Sequence, residues 1–454
     1  MLDRQIIPKG SQPRSFQFPD WTVKVLGNGL KVIFQQDNSL PQISFRVMIP
    51  VGSTFDGETP GIASLTAELL SRGTKKRTST QLFEDVEFIG GHLNSGSNWD
   101  ASFVTVSSLS SYKKEALEIL AEVLLEPAFS VEEIKFLVEQ RLNNLMMNKD
   151  STGYLANTAI GQVLFDGHPF QFPGSGTEQS LPKFTQQHVL NFYQNYFHPL
   201  ESVLIITGDF QNTDELLGSI ESFFLKWNSG KERINQTFEI KPLQKTEVVV
   251  VHKPDAVQST IRIAHHGINK QNSDLPKITI MNTLLGGYFG SRINMNIRED
   301  KGFTYGARSY FTERKNTGHF AVTTDVRNEV TGDAVKEILF EMNRLKTELV
   351  SDSELNNVKN YLVGRFPVDF ETTDQVSNAI METMVYNLPK NYFPSFRDAL
   401  KTVSAQDILE MANQYLRPEI CAIIVSGHAP EIVPQLQPFG TVRLLDSTFN
   451  PLSL

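Results

Sequence analysis

The segment 195–210, NYFHPLESVLIITGDF, is repeated in outline as QYLRPEICAIIVSGHA at 414–429. A second match lies upstream of each, SLPQISFRVMIPVG at 39–52 against AVQSTIRIAHHG at 256–267. Identical residues recur 219 positions apart in the first match (415 minus 196) and 216 apart in the second (258 minus 42): Tyr196 and Tyr415, Pro199 and Pro418, Gly208 and Gly427, Gln42 and Gln258, Arg46 and Arg262. Two separated matches at nearly one spacing indicate a duplicated domain of roughly 215 to 220 residues.

Each half has a similar order of predicted elements. In the first half, patterning predicts strands flanking the Gly-Asn-Gly turn of 21–36, a strand in 43–53, a hairpin in 90–109, a strand at 202–208, and helices near 61–72, 80–89, 112–125, 130–148 and 185–197. In the second half it predicts strands near 246–252, 258–266, 303–313 and 317–325, with helices between and after them. Strands in hairpins with helices clustered after them favour an α+β fold. We therefore expect two homologous domains, each an antiparallel or mixed sheet covered on one side by helices.

A polar segment separates the two halves. Residues 226–245, KWNSGKERINQTFEIKPLQK, lack apolar periodicity and are typical of a linker. The predicted domains are accordingly 1–225 and 246–454. The tail from Pro434 to Leu454 shows no clear pattern.

Composition restricts the class of protein. Of the 454 residues, 40% are hydrophobic and 20% charged, as in a soluble globular protein. The net charge of -9 disfavours nucleic acid as a partner. The single cysteine, Cys421, lies in an apolar run and excludes a disulfide within the chain. The N-terminal residues lack the apolar core of a secretory signal, and no apolar run reaches the ~18 residues of a membrane span, so the expected location is cytoplasmic.

One helical segment carries a family signature. In GIASLTAELLSRGT, 61–74, apolar residues recur at helical spacing, which by itself is typical of a core helix. The segment resembles the zinc helix of the M16 family (pitrilysin, insulinase and mitochondrial processing peptidase), whose members read approximately GxAHxxEHxxxxGT. Four residues of that frame match: Gly61, Ala63, Gly73 and Thr74. In the motif, two histidines on one helical face hold zinc and the glutamate between them acts as general base.

The chemistry of that motif is missing. The resemblance places Ser64 and Glu68 at the two histidine positions and Ala67 at the catalytic glutamate. The segment 129–150 resembles the family helix that supplies the third ligand, and its aligned glutamates fall on Leu137 and Asn144. None of the nine histidines is four positions from another. Glu68 is thus the one candidate ligand, so we expect no metal and no other cofactor in this chain; a metal held by distant loops is the alternative.

Two further segments resemble M16 sequences. GGHLNSGSNWDASFVTV, 90–106, is similar to the family's edge strand beside the substrate, which implies that Asn94 faces the cleft; an ordinary hairpin is the alternative. LLGGYFGSRINMNIREDKGFTYGARSYF, 284–311, resembles a second signature and contains Arg298 and Tyr305. The resemblance implies that this arginine and tyrosine act at an active site.

Together these features predict a non-catalytic, Arg/Tyr-bearing subunit of a heterodimeric M16 zinc peptidase. A homologous H-x-x-E-H partner would supply zinc and base, Arg298 and Tyr305 would act in that partner's site, and the two chains would enclose an unfolded peptide. The alternatives are a scaffold subunit like the M16 relatives of respiratory complexes, or a peptide-binding pseudo-peptidase. The isolated chain could also form a homodimer.

Overall fold

The computed structural model describes residues 16–230, 233 and 238–453. The first half contains β1 (Thr22–Val25), β2 (Lys31–Gln36), β3 (Gln42–Ile49), α1 (Ile62–Leu69), α2 (Ser79–Phe88), β4 (His92–Ser97), β5 (Ser102–Leu109), α3 (Lys113–Leu125), α4 (Val131–Asn148), α5 (Thr152–Leu164), α6 (Gln186–Tyr196), β6 (Val203–Gly208) and α7 (Thr213–Phe224). The second half contains β7 (Glu247–His252), β8 (Gln258–His266), α8 (Leu275–Asn282), β9 (Ala307–Glu313), β10 (Gly318–Arg327), α9 (Thr331–Thr347), α10 (Asp352–Arg365), α11 (Thr373–Val385), α12 (Tyr392–Thr402), α13 (Ala405–Tyr415), β11 (Ala422–Gly427), α14 (Ala429–Leu436) and β12 (Val442–Leu445).

Two six-stranded mixed sheets repeat one topology. The strand orders are β1-β2-β6-β3-β5-β4 and β12-β7-β11-β8-β10-β9. In each sheet the second and third strands of that order are parallel (β2 with β6, β7 with β11), and the next pairs are antiparallel. The exception is the first edge, where β1 is antiparallel to β2 but β12, from the C-terminal region, is parallel to β7. The predicted duplication and the α+β class are confirmed.

Helices cover both faces of each sheet, whereas the sequence predicted helices on one face only. Helices of the same half bury one face of each sheet. On the other face of the first sheet, Val376 and Ile380 of α11 pack with Met48 and Ile205. The α5 helix of the first half covers the second sheet in return. The halves thus exchange one helix each, which explains why β6 and β11 are buried along their whole length.

The two segments for which the sequence predicted no helix or strand, the C-terminal tail and the linker, have different structures. The C-terminal tail forms β12 and part of α14, with Pro434 inside that helix. The sequence did not predict β12, because a strand of four residues is too short to show periodicity. In the predicted linker, 226–230 and 238–245 contain neither helix nor strand, and Arg233 is buried, donating to the carbonyl oxygens of Tyr196 (3.2 Å) and His198 (2.9 Å). The rest of the linker and residues 1–15, which carried the expectation about a secretory signal, lie outside the described residues.

Across the described ranges, no helix combines the length and apolar character needed to cross a bilayer.

Candidate functional site

The N-terminus of α1 is fixed by a buried carboxylate. Asp56 accepts hydrogen bonds from the backbone N–H groups of Gly61 (2.8 Å) and Ala63 (2.9 Å). Burial raises the pKa of Asp56 to about 7, against the effect of these hydrogen bonds. Gly61 has a φ of 99°, and a Cβ there would lie 2.6 Å from the Cα of Gly176. The matched frame residues Gly61 and Ala63 therefore build the start of this helix.

An arginine occupies the place where the family resemblance puts metal ligands. Nη2 of Arg141, on α4, lies 3.1 Å from Ser64 Oγ and 2.6 Å from Glu68 Oε2. Nη1 of the same guanidinium donates to the carbonyl oxygen of Ser175 at 3.2 Å. The Arg141 side chain is only 10% exposed, and that of Glu68 is 32% exposed. Arg72 adds a more distant contact, 3.8 Å from Glu68 Oε1. The two motif positions are thus joined by one fixed cation.

The other motif positions do not contact this arginine cluster. Ala67 and Leu137 are fully buried in the first core, and Asn144 is exposed on α4. The family resemblance predicts a carboxylate on α4, whereas the residue of α4 that reaches the motif is Arg141. A signal was available, because Arg141 lies four residues after Leu137 and four before Leu145, both apolar, which places a charge on the core-facing side of the helix. Such a charge requires a buried partner.

These residues do not fit a zinc ion. Ser64 offers a neutral hydroxyl, and Glu68 already accepts a charge-assisted hydrogen bond from Arg141. A divalent cation between them would lie beside a guanidinium and be repelled by it. Within the described part of the chain, no group of three or more His, Cys, Asp or Glu side chains could hold a metal.

The strand beside α1 has a free edge. β4 is the last strand of its sheet, pairing with β5 so that Asn94 is opposite Thr105. Ser95 Oγ donates to the carbonyl oxygen of Glu68 at 3.3 Å, which holds β4 against α1. Because side chains alternate along a strand, Asn94 points to the opposite face, and it is exposed. The free main-chain edge of β4 is a surface on which an extended peptide can pair.

Arg298 and Tyr305 lie on the second half, at the surface. Arg298 is in a π-helical turn, Asn294–Asp300, with its guanidinium carbon 4.4 Å from the ring centre of Phe289, which is itself 61% exposed. Its Nε is 3.3 Å from Glu299 Oε1. Tyr305 is 94% exposed. Among the described residues, no hydrogen bond or ion pair joins either side chain to Ser64, Glu68 or Asn94.

The loop that carries Tyr305 is fixed by threonine hydrogen bonds. Thr324 Oγ1, on β10, lies 3.0 Å from both Thr304 Oγ1 and the carbonyl oxygen of Gly306. Thr304 Oγ1 in turn donates to Gly306 O at 2.9 Å. The backbone on both sides of Tyr305 is therefore anchored to the sheet, while its ring projects into solvent.

The chain matches two protein-family models. Residues 31–160 match "Insulinase (Peptidase family M16)" and residues 183–362 match "Peptidase M16 inactive domain". It is 26% identical to "Non-peptidase homolog YmxG" of Helicobacter pylori, over 83% of this chain and 87% of that protein. It is 22% identical to "Cytochrome b-c1 complex subunit 1, mitochondrial" of Rattus norvegicus, over 94% and 89%. A crystal structure of a peptidase M16 inactive domain from Pseudomonas fluorescens superposes with a TM-score of 0.83 at 23% identity, covering 90% of this chain and 98% of that chain.

Proposed function

Because the chain belongs to the M16 peptidase family, and its own zinc motif reads Ser64, Ala67 and Glu68, we propose that it is the non-catalytic subunit of a heterodimeric M16 zinc peptidase. The observation that carries the proposal is the contrast between its two motifs. In the first motif, Arg141 forms an ion pair with Glu68 and a hydrogen bond with Ser64. In the second motif, Tyr305 is almost fully exposed on an anchored loop, and among the described residues no hydrogen bond or ion pair involves its side chain. The second motif is therefore available to another chain.

The exposed Tyr305 and the partly exposed Arg298 suit the hydrolysis of a peptide bond in a partner's site. Negative charge develops on the carbonyl oxygen when water adds to the peptide, and the phenol of Tyr305 can donate a hydrogen bond to that oxygen. The guanidinium of Arg298 has donors in a planar fork that can hold substrate carbonyl groups in register. An H-x-x-E-H subunit would supply the metal and the general base.

The substrate class follows from the edge of β4. An extended peptide pairs with a free strand edge through main-chain groups, with little dependence on its sequence. Asn94 is exposed on this strand, and in this proposal it contacts a bound peptide from the face opposite α1. Folded proteins cannot present such a segment, so the proposed substrates are unfolded peptides.

Co-expression with an H-x-x-E-H homologue from the same organism tests the proposal. We expect the two chains to co-purify in equal amounts and to cleave an unstructured peptide, with one zinc site per pair. This chain alone should form no zinc peptidase. The proposal would be refuted if the partner were fully active without this chain. It would also be refuted if the stable pair cleaved peptide at the same rate after Arg298 and Tyr305 were both replaced.

A scaffold role is the second candidate. It is favoured by the 22% identity to the rat respiratory-complex subunit over 94% of this chain. A scaffold needs neither Arg298 nor Tyr305, so the replacement of both residues in the assembled complex separates the two functions. A peptide-binding pseudo-peptidase would bind unstructured peptides with the same affinity whether or not a partner is present.

A further inference from the structure

A cavity of about 400 Å³ lies in the second half, at a place that neither motif uses. It opens where α11, the exchanged helix, meets α8, α12 and the end of β9. α11 therefore has two roles: Val376 and Ile380 pack on the first sheet, while Gln375 and Glu382 line the cavity. A volume of this size is within the ordinary range of small-molecule sites.

One wall of the cavity is aromatic. Its lining includes Phe366, Phe370, Phe393 and Phe396. The rings of Phe370 and Phe393 are 4.9 Å apart, those of Phe366 and Phe370 5.1 Å apart, and those of Phe366 and Phe396 6.3 Å apart and stacked. Because each ring is held by its neighbours, the wall is a rigid apolar surface with negative π-faces.

The rest of the lining carries more negative than positive charge. Lys270 Nζ forms an ion pair with Glu382 Oε1 at 2.7 Å. Asp369, at the rim, is paired outside the cavity with Arg365 at 3.3 Å. Glu313 lines the cavity too, but within the described residues it has no ion-pair partner closer than 4.0 Å. Burial raises the pKa of Glu313, against the effect of the Lys270 charge.

We infer that this cavity binds a small organic cation, an alkylammonium or guanidinium group, with its charge at Glu313 and its carbon chain against the phenylalanine wall. Lys270 is paired with Glu382 and its charge also acts on Glu313, so the two carboxylates share one cation, and a bound cation would supply a second. The aromatic faces attract the same charge and also accept the apolar stem. The inference does not depend on the proposed peptidase role, because no residue of either motif lines the cavity.

Other ligand classes fit the lining less well. An anion would meet the carboxylates of Glu313 and Glu382 with only Lys270 to bind it, and Lys270 is already paired. A neutral apolar molecule would match the phenylalanine wall but would displace water from Glu313 without replacing its hydrogen bonds. A cation with a short carbon chain satisfies both surfaces.

The test uses the full chain and three probes in titration calorimetry: cadaverine, 1-pentanol, which has a carbon chain of the same length and no charge, and N-acetyl-lysine methylamide as a peptide-borne amine. We expect saturable binding of cadaverine, and binding of 1-pentanol weaker by on the order of tenfold or more, since a hydrogen-bonded ion pair is lost. Glu313→Gln, which keeps the side-chain shape, should weaken cadaverine binding by a similar factor. Glu84→Gln, on the exposed face of α2, removes the same charge far from the cavity and should leave binding unchanged.

The outcomes separate the possible sources of the cation. Binding of cadaverine alone indicates a free amine as ligand, whereas binding of the lysine amide as well indicates a peptide side chain; both support the inference. It is overturned if no probe saturates, if 1-pentanol binds as tightly as cadaverine, or if Glu313→Gln binds cadaverine as the parent chain does. Because Gln replaces a buried charge by a neutral amide, the melting temperature of this variant should not fall, which checks its folding.

Discussion

Arg262 Nε donates a hydrogen bond to Asn157 Oδ1 at 2.8 Å, joining the second sheet to the helix that it receives from the first half. Arg46, at the equivalent position of β3, donates to Asn378 of α11 and so joins the first sheet to the helix of the second half. Each of these arginines is buried. In both halves, therefore, an arginine of the sheet donates a hydrogen bond to an asparagine of the helix that comes from the other half. This relationship gives a structural reason for the match of Arg46 and Arg262 in the sequence.

The exchange predicts that the two halves unfold together. Trp227 packs in the first core, Trp21 packs with α11, and the guanidinium carbon of Arg314 lies 4.6 Å from the ring centre of Trp99. Fluorescence therefore reports the first core and the contacts between the halves, while far-ultraviolet circular dichroism follows the whole chain. We expect the two signals to give coincident denaturant transitions. A fluorescence transition clearly separated from the dichroism transition would show that the shared cores do not couple the halves.

Asn157→Ala should destabilise the whole chain. It leaves the buried guanidinium of Arg262 with one acceptor fewer, at a cost of about 1 to 3 kcal/mol in the free energy of unfolding. Asn157 contacts the second sheet, whereas Trp227 lies in the first core, so a coupled chain should shift the fluorescence midpoint as far as the dichroism midpoint. Asn191→Ala, on exposed α6, is the matched control and should change stability by less than about 0.5 kcal/mol. A shift seen by dichroism alone would contradict the coupling.

Arg141 and Glu68 are expected to contribute stability as a pair. Arg141→Met removes a nearly buried guanidinium that also binds Ser64 Oγ and Ser175 O, so we expect a loss of about 2 to 3 kcal/mol. Glu68→Gln keeps a hydrogen-bond acceptor on a partly exposed side chain and should cost about 1 kcal/mol or less. In a double-mutant cycle by urea denaturation, the coupling energy should be at least about 0.5 kcal/mol. Strict additivity would mean that the contact contributes nothing specific.

Much of this fold could be predicted because the sequence repeats its own pattern. The strand predicted near 258–266 is observed as β8 with those bounds, and the helix near 130–148 is observed as α4. Period and caps are local properties, so they survive in any tertiary context. The exchange of α5 and α11 is different, because apolar spacing shows that a helix face is buried but not which sheet buries it.

The candidate site shows the same limit. The frame of the zinc motif could be read from Gly61 and Gly73, and the loss of ligands from Ser64 and Glu68. The spacing of Arg141 on α4 shows a core-facing charge, but its pairing with Glu68 could not be predicted, since the two residues are 73 positions apart and the contact depends on how α4 packs on α1. Exposure of Tyr305 is likewise a tertiary property.

Mild acid should destabilise the protein through its buried histidines. Burial holds the pKa of His265 near 4, and burial with the nearby Arg314 charge holds that of His319 near 3. Below an ordinary pKa of about 6.5 the unfolded chain takes up these protons while the folded chain does not, so stability is lost as pH falls. Burial also lowers the pKa of three more histidines: His168, His198 and His266. Burial raises the pKa of three acids, which opposes the effect of the histidines: Asp56, Asp100 and Glu313.

Because five histidines with a lowered pKa outnumber the three acids with a raised pKa, the free energy of unfolding should fall as the pH drops from about 6 to about 4.5. Urea denaturation at several pH values measures the slope. His319→Gln should reduce it by about one proton, whereas His92→Gln, on the exposed edge of β4, should leave it unchanged. A free energy of unfolding that stays constant over this range would contradict the assignment of neutral buried rings.

Tyr305→Phe tests the proposed catalytic role directly, because it deletes one exposed hydroxyl and leaves the anchored loop intact. If that hydroxyl stabilises the oxyanion in a partner's site, removing it should lower kcat of the reconstituted pair by about 100-fold to 1000-fold, with little change in KM or in assembly. Arg298→Ala should change both kcat and KM, since it removes a positioning group as well as a charge. Tyr361→Phe, which deletes another exposed phenol hydroxyl on α10, is the matched control. Rates are compared at saturating subunit ratios, with the composition of each complex confirmed by mass, so that lost assembly is not mistaken for lost catalysis. Unchanged kcat and KM for both Tyr305→Phe and Arg298→Ala would transfer the chain to the scaffold class, because a subunit that takes part in the reaction cannot lose both groups without a change in rate.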